Sequence, residues 1–198
     1  MWEIGLVYGL ILLAVWTPKG SVNAVAILAA AFFTVALSFR RYSANALGLA
    51  HPVRGALTVL SLGFVLLVGV VIVAGLATRF GAPQPFPWKT AWQYAIWSLI
   101  QQFILQSFIF LRLESLIGSR RAILVSSALF AIAHIPSPVL TPLTFLGALF
   151  FCEMFRRFRN IVPLGLVHAA LGLTIASGFP DRVLHHMRVG IGYFTYHR

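Results

Sequence analysis

Among the polar side chains inside otherwise apolar stretches of this 198-residue chain, five could do chemistry together. They are three glutamines and two histidines: Gln101, Gln102, Gln106, His134 and His168. A neutral imidazole can accept a proton near pH 7, so the histidines are candidate bases. A carboxamide forms hydrogen bonds but is a negligible base, so the glutamines can only orient a water molecule or polarise a carbonyl. A water-activating site of two histidines and three amides is therefore one chemistry that these residues could perform.

The spacing of these side chains places them on three helices, if the stretches around them are helical. Gln102 and Gln106 are four residues apart and share a helix face, and Gln101 lies about 100° round from Gln102. His134 and His168 lie in two later apolar runs. One interpretation is a hydrogen-bond network that only fixes helix packing, at about 0.6–2 kcal/mol per contact. The clustering of five such residues favours the other interpretation, a polar cavity shared by the three helices.

The composition identifies lipid as the solvent of these helices. Hydrophobic residues make up 60% of the chain and charged residues 10%, whereas a soluble domain carries roughly a quarter charged residues. The mean hydropathy is +0.91. Backbone groups in lipid need internal partners, so the apolar runs must be helices. The sequence therefore predicts an all-α, polytopic membrane helical bundle that forms a single integral membrane domain over residues 1–198.

Seven apolar stretches are candidate transmembrane helices. They cover residues 4–16, 21–39, 56–77, 91–113, 122–134, 144–155 and 161–177. An eighth transmembrane segment, or an interfacial helix, is predicted in "VLHHMRVGIGYFTY", residues 183–196. About seven or eight helices are thus expected, with the glutamines on the fourth, His134 on the fifth and His168 on the seventh.

The net charge is +11, from fifteen Lys and Arg residues against four acids. Basic residues collect in cytoplasmic loops and meet anionic lipid heads, so we expect membrane lipid and no nucleic acid as partner. The basic residues of alternate loops are Arg40, Arg41, Arg54, Arg120, Arg121, Arg156, Arg157 and Arg159. The positive-inside rule then places the N-terminus in the cytoplasm. Seven spans would leave Arg182, Arg188 and Arg198 outside, and an eighth segment would relieve that conflict.

Two segments of the sequence resemble a known family. The residues "QQFILQSFIFLRLESLIGSRRAILVSSALFAIAHIPSP" and, further on, "LVHAALG" are similar to the core of the CPBP family, the CAAX prenyl protease 2 and lysostaphin resistance protein A-like intramembrane glutamic endopeptidases. The family pattern is Glu-Glu-x-x-x-Arg, then Phe-x-x-x-His, then His-x-x-x-Asn. Phe130 and His134 reproduce the second motif, and His168 begins the third. The resemblance covers roughly residues 45–175, with a family-like core at about 91–177.

The resemblance implies a glutamate that takes a proton from water and histidines that hold the water or the oxyanion. Here Gln101 and Gln102 stand where the glutamate pair is expected, Gln106 replaces the arginine, and Gly172 replaces the asparagine. Losing only the acids would leave a buried arginine unpaired, at a cost of several kcal/mol. Three neutral amides avoid that cost, so the site is expected to keep its polarity while it loses the family's base.

Other chemically able residues have plainer explanations. Glu114 lies twelve residues past Gln102, about 18 Å along a helix, and is expected to be a helix-end charge near Arg112 or Arg120. Cys152 is the only cysteine and is expected to pack as a small apolar side chain. Adjacent His185 and His186 would point to different faces of a helix. We therefore expect no cofactor and no metal.

Two classes of function remain open. The first is an intramembrane endopeptidase that cuts a membrane-associated peptide or a prenylated protein, with Gln101, Gln102, Gln106, His134 and His168 as its catalytic set. The second is a catalytically inactive relative that binds a membrane peptide as a chaperone, immunity protein or scaffold. A transporter is a distant third, because no internal repeat is visible. Either way we expect an integral protein of a bacterial or archaeal cytoplasmic membrane.

Overall fold

A computed structural model describes residues 1–195, apart from the side chain of residue 80. Every regular element in this part of the chain is helical, which confirms the predicted all-α class. Seven longer helices, α1 to α7, are Trp2–Trp16, Ser21–Arg41, Ala56–Ala77, Ala91–Ile117, Ser119–Ile132, Leu140–Phe158 and Val162–Gly178. Beyond α7 the described residues form only short turns of helix, at Asp181–Leu184, His185–Met187 and Ile191–Phe194. Residues 196 and 198, which entered the predicted tail, lie outside the described part.

Three helices, α2, α3 and α4, are long and apolar enough to cross a membrane, and α1 and α7 are apolar but shorter. The surface of α3 is apolar and largely unpacked: Leu57, Phe64 and Ile72 are each more than 60% exposed. A contiguous apolar face of this size is not stable in water and requires lipid around it. The chain is therefore an integral membrane protein built as a helical bundle.

Helix boundaries from α4 to α6 differ from the predicted ones, and three of the differences have a local reason. The fifth helix begins at Ser119 because Gly118, at a φ of +78°, turns the chain in a single residue. The fourth helix correspondingly runs on to Ile117. The sixth begins at Leu140, so the end of "IPSPVLTP", which the sequence left open as a connector or as the start of this helix, is helical; Pro142 falls in the first turn, where a missing N–H is tolerated.

Helix α4 changes its winding in the middle of the bundle. Its first part, Ala91–Gln102, is α-helical, Phe103–Phe110 is π-helical, and Leu111–Ile117 is α-helical again. Residues 105–110 are all buried, and Ser107 donates a 2.7 Å hydrogen bond to the carbonyl of Leu47 in the loop between α2 and α3. π-helical turns are rare in proteins, and those that occur are often found at functional sites. Here it directly follows Gln102 and contains Gln106.

Helix α7 packs against both α3 and α4, while α6 packs on α5 and α1 on α2. Leu164, Val167 and Leu171 of α7 are buried in the main hydrophobic core. Two glycines let neighbouring helices approach: a Cβ at Gly165 would lie 2.3 Å from Leu99, and a Cβ at Gly63 would lie 2.4 Å from Val167. This close packing holds His168, midway along α7, against α4.

Charged residues form pairs at one end of the bundle. The Arg112 side chain is only 2% exposed, and its Nε donates a 2.6 Å hydrogen bond to Glu3, while other guanidinium hydrogens reach the carbonyls of Phe108 and Leu37. Glu114 forms an ion pair with Arg159 at 2.5 Å, a partner that the sequence did not indicate. The first helix is thus tied to the end of α4 by an ion pair.

Replacing Glu3 by glutamine is expected to lower the free energy of unfolding by about 3 kcal/mol, because it leaves the buried Arg112 charge without its counter-ion. The matched control is Glu153→Gln, since Glu153 pairs with Arg156 at the surface and an exposed pair contributes about 0–1 kcal/mol. Unfolding in mixed micelles, followed by circular dichroism, measures both. Equal losses in the two variants would contradict this role of Glu3.

Candidate functional site

A cavity of about 430 Å³ lies among α3, α4, α6 and α7. Its walls are mostly apolar, from Val65, Leu66 and Val70 on one side to Leu143 and Ile175 on the other. The polar groups on its wall come from a short list: Tyr94, Trp97, Gln101, His134, Thr144 and His168. An apolar pocket with a few convergent polar groups is the usual form of a ligand-binding site.

Three of the five predicted residues, Gln101, His134 and His168, line this cavity. The other two, Gln102 and Gln106, are fully buried and are not part of its lining. They belong instead to a chain of hydrogen bonds that ends on a lining residue. The Gln106 amide donates to the Gln102 carbonyl oxygen at 3.1 Å, and Gln102 Nε2 lies 3.2 Å from His168 Nδ1.

A further polar group, the thiol of Cys152 on α6, lies next to the buried amides. The Cys152 thiol is fully buried, as expected of a packing residue, and lies beside the side chains of Gln106 and Ser127. Polar side chains of α4, α5, α6 and α7 thus lie close together, but the hydrogen bonds run only from Gln106 through Gln102 to His168; Gln106 Oε1 and Ser127 Oγ have no partner among the described residues. Gln102 is the central member, because its removal would leave both of its neighbours unpaired.

The hydrogen-bond partners assign different tautomers to the two histidines. Gln102 Nε2 is a donor, so His168 Nδ1 accepts and the ring proton of His168 sits on Nε2. His134 Nδ1 lies 2.7 Å from the carbonyl of Phe130, which can only accept, so His134 carries its proton on Nδ1 and a lone pair on Nε2. One imidazole thus offers a base, and the other offers a hydrogen-bond donor.

Aromatic rings hold the two imidazoles in place. Phe130 contacts both of them, with ring centroids 4.8 Å from His134 and 6.0 Å from His168. Phe151 packs on His168 at 5.4 Å. Phe130 therefore has two roles in the Phe-x-x-x-His motif: its ring packs against both histidines, and its carbonyl orients His134.

Among the described residues, no Asp, Glu, Lys or Arg side chain contributes to the cavity wall. No cluster of three or more His, Cys, Asp or Glu side chains suited to a metal ion is found in residues 1–195. His185 stacks on Tyr193 with ring centroids 4.1 Å apart, and His186 contacts Asp181, so this pair belongs to the tail and does not line the cavity.

Tyr94 is a cavity residue that the sequence interpretation missed. It precedes Gln101 by seven residues, and Trp97 lies between them, so the three form one stripe of α4 that faces the cavity. Its ring also contacts Gly172 on α7. The seven-residue spacing was a usable signal, but the contact with Gly172 could come only from the packing of two helices.

Comparisons with known proteins agree with the motifs. Residues 83–174 match the family described as Type II CAAX prenyl endopeptidase Rce1-like, and this segment contains all five predicted residues. No curated protein and no solved structure matches the chain. The match confirms the resemblance seen in the motifs: over residues 83–174 the chain is similar to the CAAX protease-like membrane proteins of the CPBP family.

Proposed function

We propose that this chain is an intramembrane endopeptidase that cuts a membrane-associated peptide or prenylated protein, with His134 as general base in place of the family's glutamate. One observation carries the proposal: His134 and His168 line one cavity with opposite tautomers. The lone pair of His134 Nε2 and the N–H of His168 Nε2 are the two groups that hydrolysis of an amide requires.

The reaction follows from those two groups. A water molecule donates one hydrogen to His134 Nε2 while its oxygen attacks the carbonyl carbon of the peptide. The carbonyl oxygen becomes an oxyanion, which accepts a hydrogen bond from His168 Nε2. The protonated His134 then gives its proton to the departing nitrogen, the C–N bond breaks, and a carboxylic acid and an amine leave. Gln101 orients the water or the carbonyl at the cavity wall.

Gln102 and Gln106 act as positioning residues in this scheme. They do not reach the cavity, but Gln102 fixes the tautomer of His168, and Gln106 fixes the orientation of the Gln102 amide. A carboxylate at position 102 could only accept a hydrogen bond and would place the His168 proton on Nδ1. The amide of Gln102, in place of the family's glutamate, therefore supports a mechanism in which His168 donates a hydrogen bond and His134 acts as the base.

The proposal includes a membrane arrangement. We place seven helices across a bacterial or archaeal cytoplasmic membrane, with the N-terminus in the cytoplasm and residues 1–198 as one domain. Contacts that join the basic loops at one end of the bundle support this: Glu3 with Arg112, Glu114 with Arg159, and Asn160 with the carbonyl of Arg54. The organism class rests on the family resemblance alone.

A second candidate function is a catalytically silent protein that binds a membrane peptide as a chaperone or immunity protein. The observation that favours it is the cavity wall itself, which has no carboxylate within the described residues. Peptide binding needs the same cavity and the same hydrogen-bonding groups, but it does not need a base.

Peptide cleavage by the purified protein distinguishes the two functions. The probes are a peptide library and a farnesylated peptide of CAAX type, with products identified by mass spectrometry. Cleavage by the wild type is expected. If the wild type binds without cutting, and Gln101→Glu gains activity, the silent protein is the correct function. Gln93→Glu is the matched control, because Gln93 is exposed on the same helix.

A further inference from the structure

Helix α4 contributes a stripe of Tyr94, Trp97 and Gln101 to the cavity wall. The Tyr94 hydroxyl is a hydrogen-bonding group there in addition to the two histidines. Tyr94 lies opposite Gly172, which follows His168 by four residues, or one helical turn of α7. Four residues correspond to about 6 Å along a helix axis. The Tyr94 hydroxyl and the His168 imidazole therefore face the cavity about one turn apart.

Gly172 makes the position of this hydroxyl possible. A Cβ at residue 172 would lie 2.1 Å from the Tyr94 hydroxyl oxygen and 2.6 Å from two carbons of its ring. Any side chain at residue 172 would therefore push the phenol away from its present position. The absence of a side chain at residue 172 of α7 thus leaves room for the Tyr94 hydroxyl, which comes from α4.

The Tyr94 hydroxyl lacks a hydrogen-bond partner within residues 1–195. A tyrosine hydroxyl that is surrounded by protein usually finds such a partner. Because the ring lines the cavity, a bound molecule can supply the missing acceptor. The acceptor that a peptide offers most often is a backbone carbonyl, which takes a hydrogen bond from a phenol readily.

We propose that Tyr94 is a substrate-binding residue whose hydroxyl donates a hydrogen bond to a second backbone carbonyl of an extended peptide, and that Gly172 provides the space for it. In an extended chain, carbonyls on the same side are two residues apart, at about 6.6–6.8 Å. This repeat fits the separation of about one helical turn between the levels of His168 and Gly172. His168 holds the scissile carbonyl, and Tyr94 holds the carbonyl two residues away.

This inference rests on the proposed function for the identity of the scissile carbonyl, but peptide binding tests it independently of cleavage. The probe is a fluorescently labelled form of the farnesylated CAAX-type peptide, and its affinity for the protein is measured by fluorescence anisotropy in detergent. Tyr94→Phe is expected to weaken binding about 3- to 10-fold, as the loss of one hydrogen bond does. Tyr8→Phe is the control, because the Tyr8 hydroxyl binds the carbonyl of Leu129 and is not in the cavity lining.

A second measurement tests the acceptor. A set of peptides carries a reduced amide, without its carbonyl, at one position after another. At one position, the reduced amide should weaken binding to the wild-type protein by the same factor as the Tyr94→Phe substitution does. The same peptide should bind the Tyr94→Phe variant no more weakly than the unmodified peptide does. Where cleavage occurs, this position should be two residues from the bond that is cut. Gly172→Ala is expected to reduce binding in the wild type more than in Tyr94→Phe.

The outcomes separate the two proposals. Weaker binding by Tyr94→Phe without cleavage by any variant would overturn the endopeptidase but support the role of Tyr94. Equal affinity of Tyr94→Phe and the wild type, or no binding by the wild type, would overturn the inference. Because phenylalanine has the same shape as the tyrosine ring, the test does not depend on whether Gly172→Ala folds.

Discussion

His134→Ala is expected to reduce the rate of peptide cleavage at least about 100-fold, because general base catalysis contributes about 10²–10⁴ to a rate. His134 Nδ1 is committed to the carbonyl of Phe130, so the Nε2 lone pair is the group that can take a proton from water. The binding of peptide should change little, since in the proposed mechanism His168, and not His134, holds the carbonyl. Single-turnover cleavage assays and anisotropy measure the two effects separately.

The control for this variant is His51→Ala, since His51 is exposed in the loop between α2 and α3. It should leave both cleavage and binding at the wild-type level. Undiminished cleavage by His134→Ala would exclude His134 as the base. Equal loss of cleavage and of binding would instead mean that His134 holds the peptide, and that another group activates the water.

The helices and their order were predictable because lipid leaves the backbone few alternatives. Residues 56–77 form α3 as predicted, since that apolar run is bounded by Gly55 and by a loop rich in Pro and Gly. The short tail helices and the π-helical part of α4 were not predictable. The π turn is surrounded by buried neighbours, among them the loop residue Leu47, and such contacts between distant segments leave no local pattern.

The sequence predicted which of the candidate side chains are neighbours on α4, but not how they are arranged around the cavity. Helical spacing placed Gln102 beside Gln106, and they do form a hydrogen bond. Spacing could not tell which face of α4 points to the cavity, so the division between Gln101 in the wall and Gln102 behind it is a structural finding. Gly172 was interpreted as the loss of an asparagine. The structure shows that the missing side chain leaves space for Tyr94.

The amide of Gln102 is expected to matter for stability as well as for the site. Gln102→Leu should lower the free energy of unfolding by about 3 kcal/mol, because each buried polar group left unpaired costs about 1–3 kcal/mol. Two such groups would remain, the Gln106 amide and Nδ1 of His168. Gln93→Leu is the matched control on the same helix, and as an exposed substitution it should stay within about 0.5 kcal/mol. Mixed-micelle unfolding measures both.

Gln102→Glu tests the same amide without a change of size. A carboxylate at residue 102 can only accept a hydrogen bond, so the proton of His168 should move from Nε2 to Nδ1. The ¹⁵N chemical shifts of the labelled imidazole report which nitrogen is protonated. Cleavage should then fall, because His168 would no longer offer an N–H to the oxyanion. Unchanged ¹⁵N shifts in Gln102→Glu, or a Gln102→Leu variant as stable as Gln93→Leu, would show that Gln102 does not control the orientation of His168.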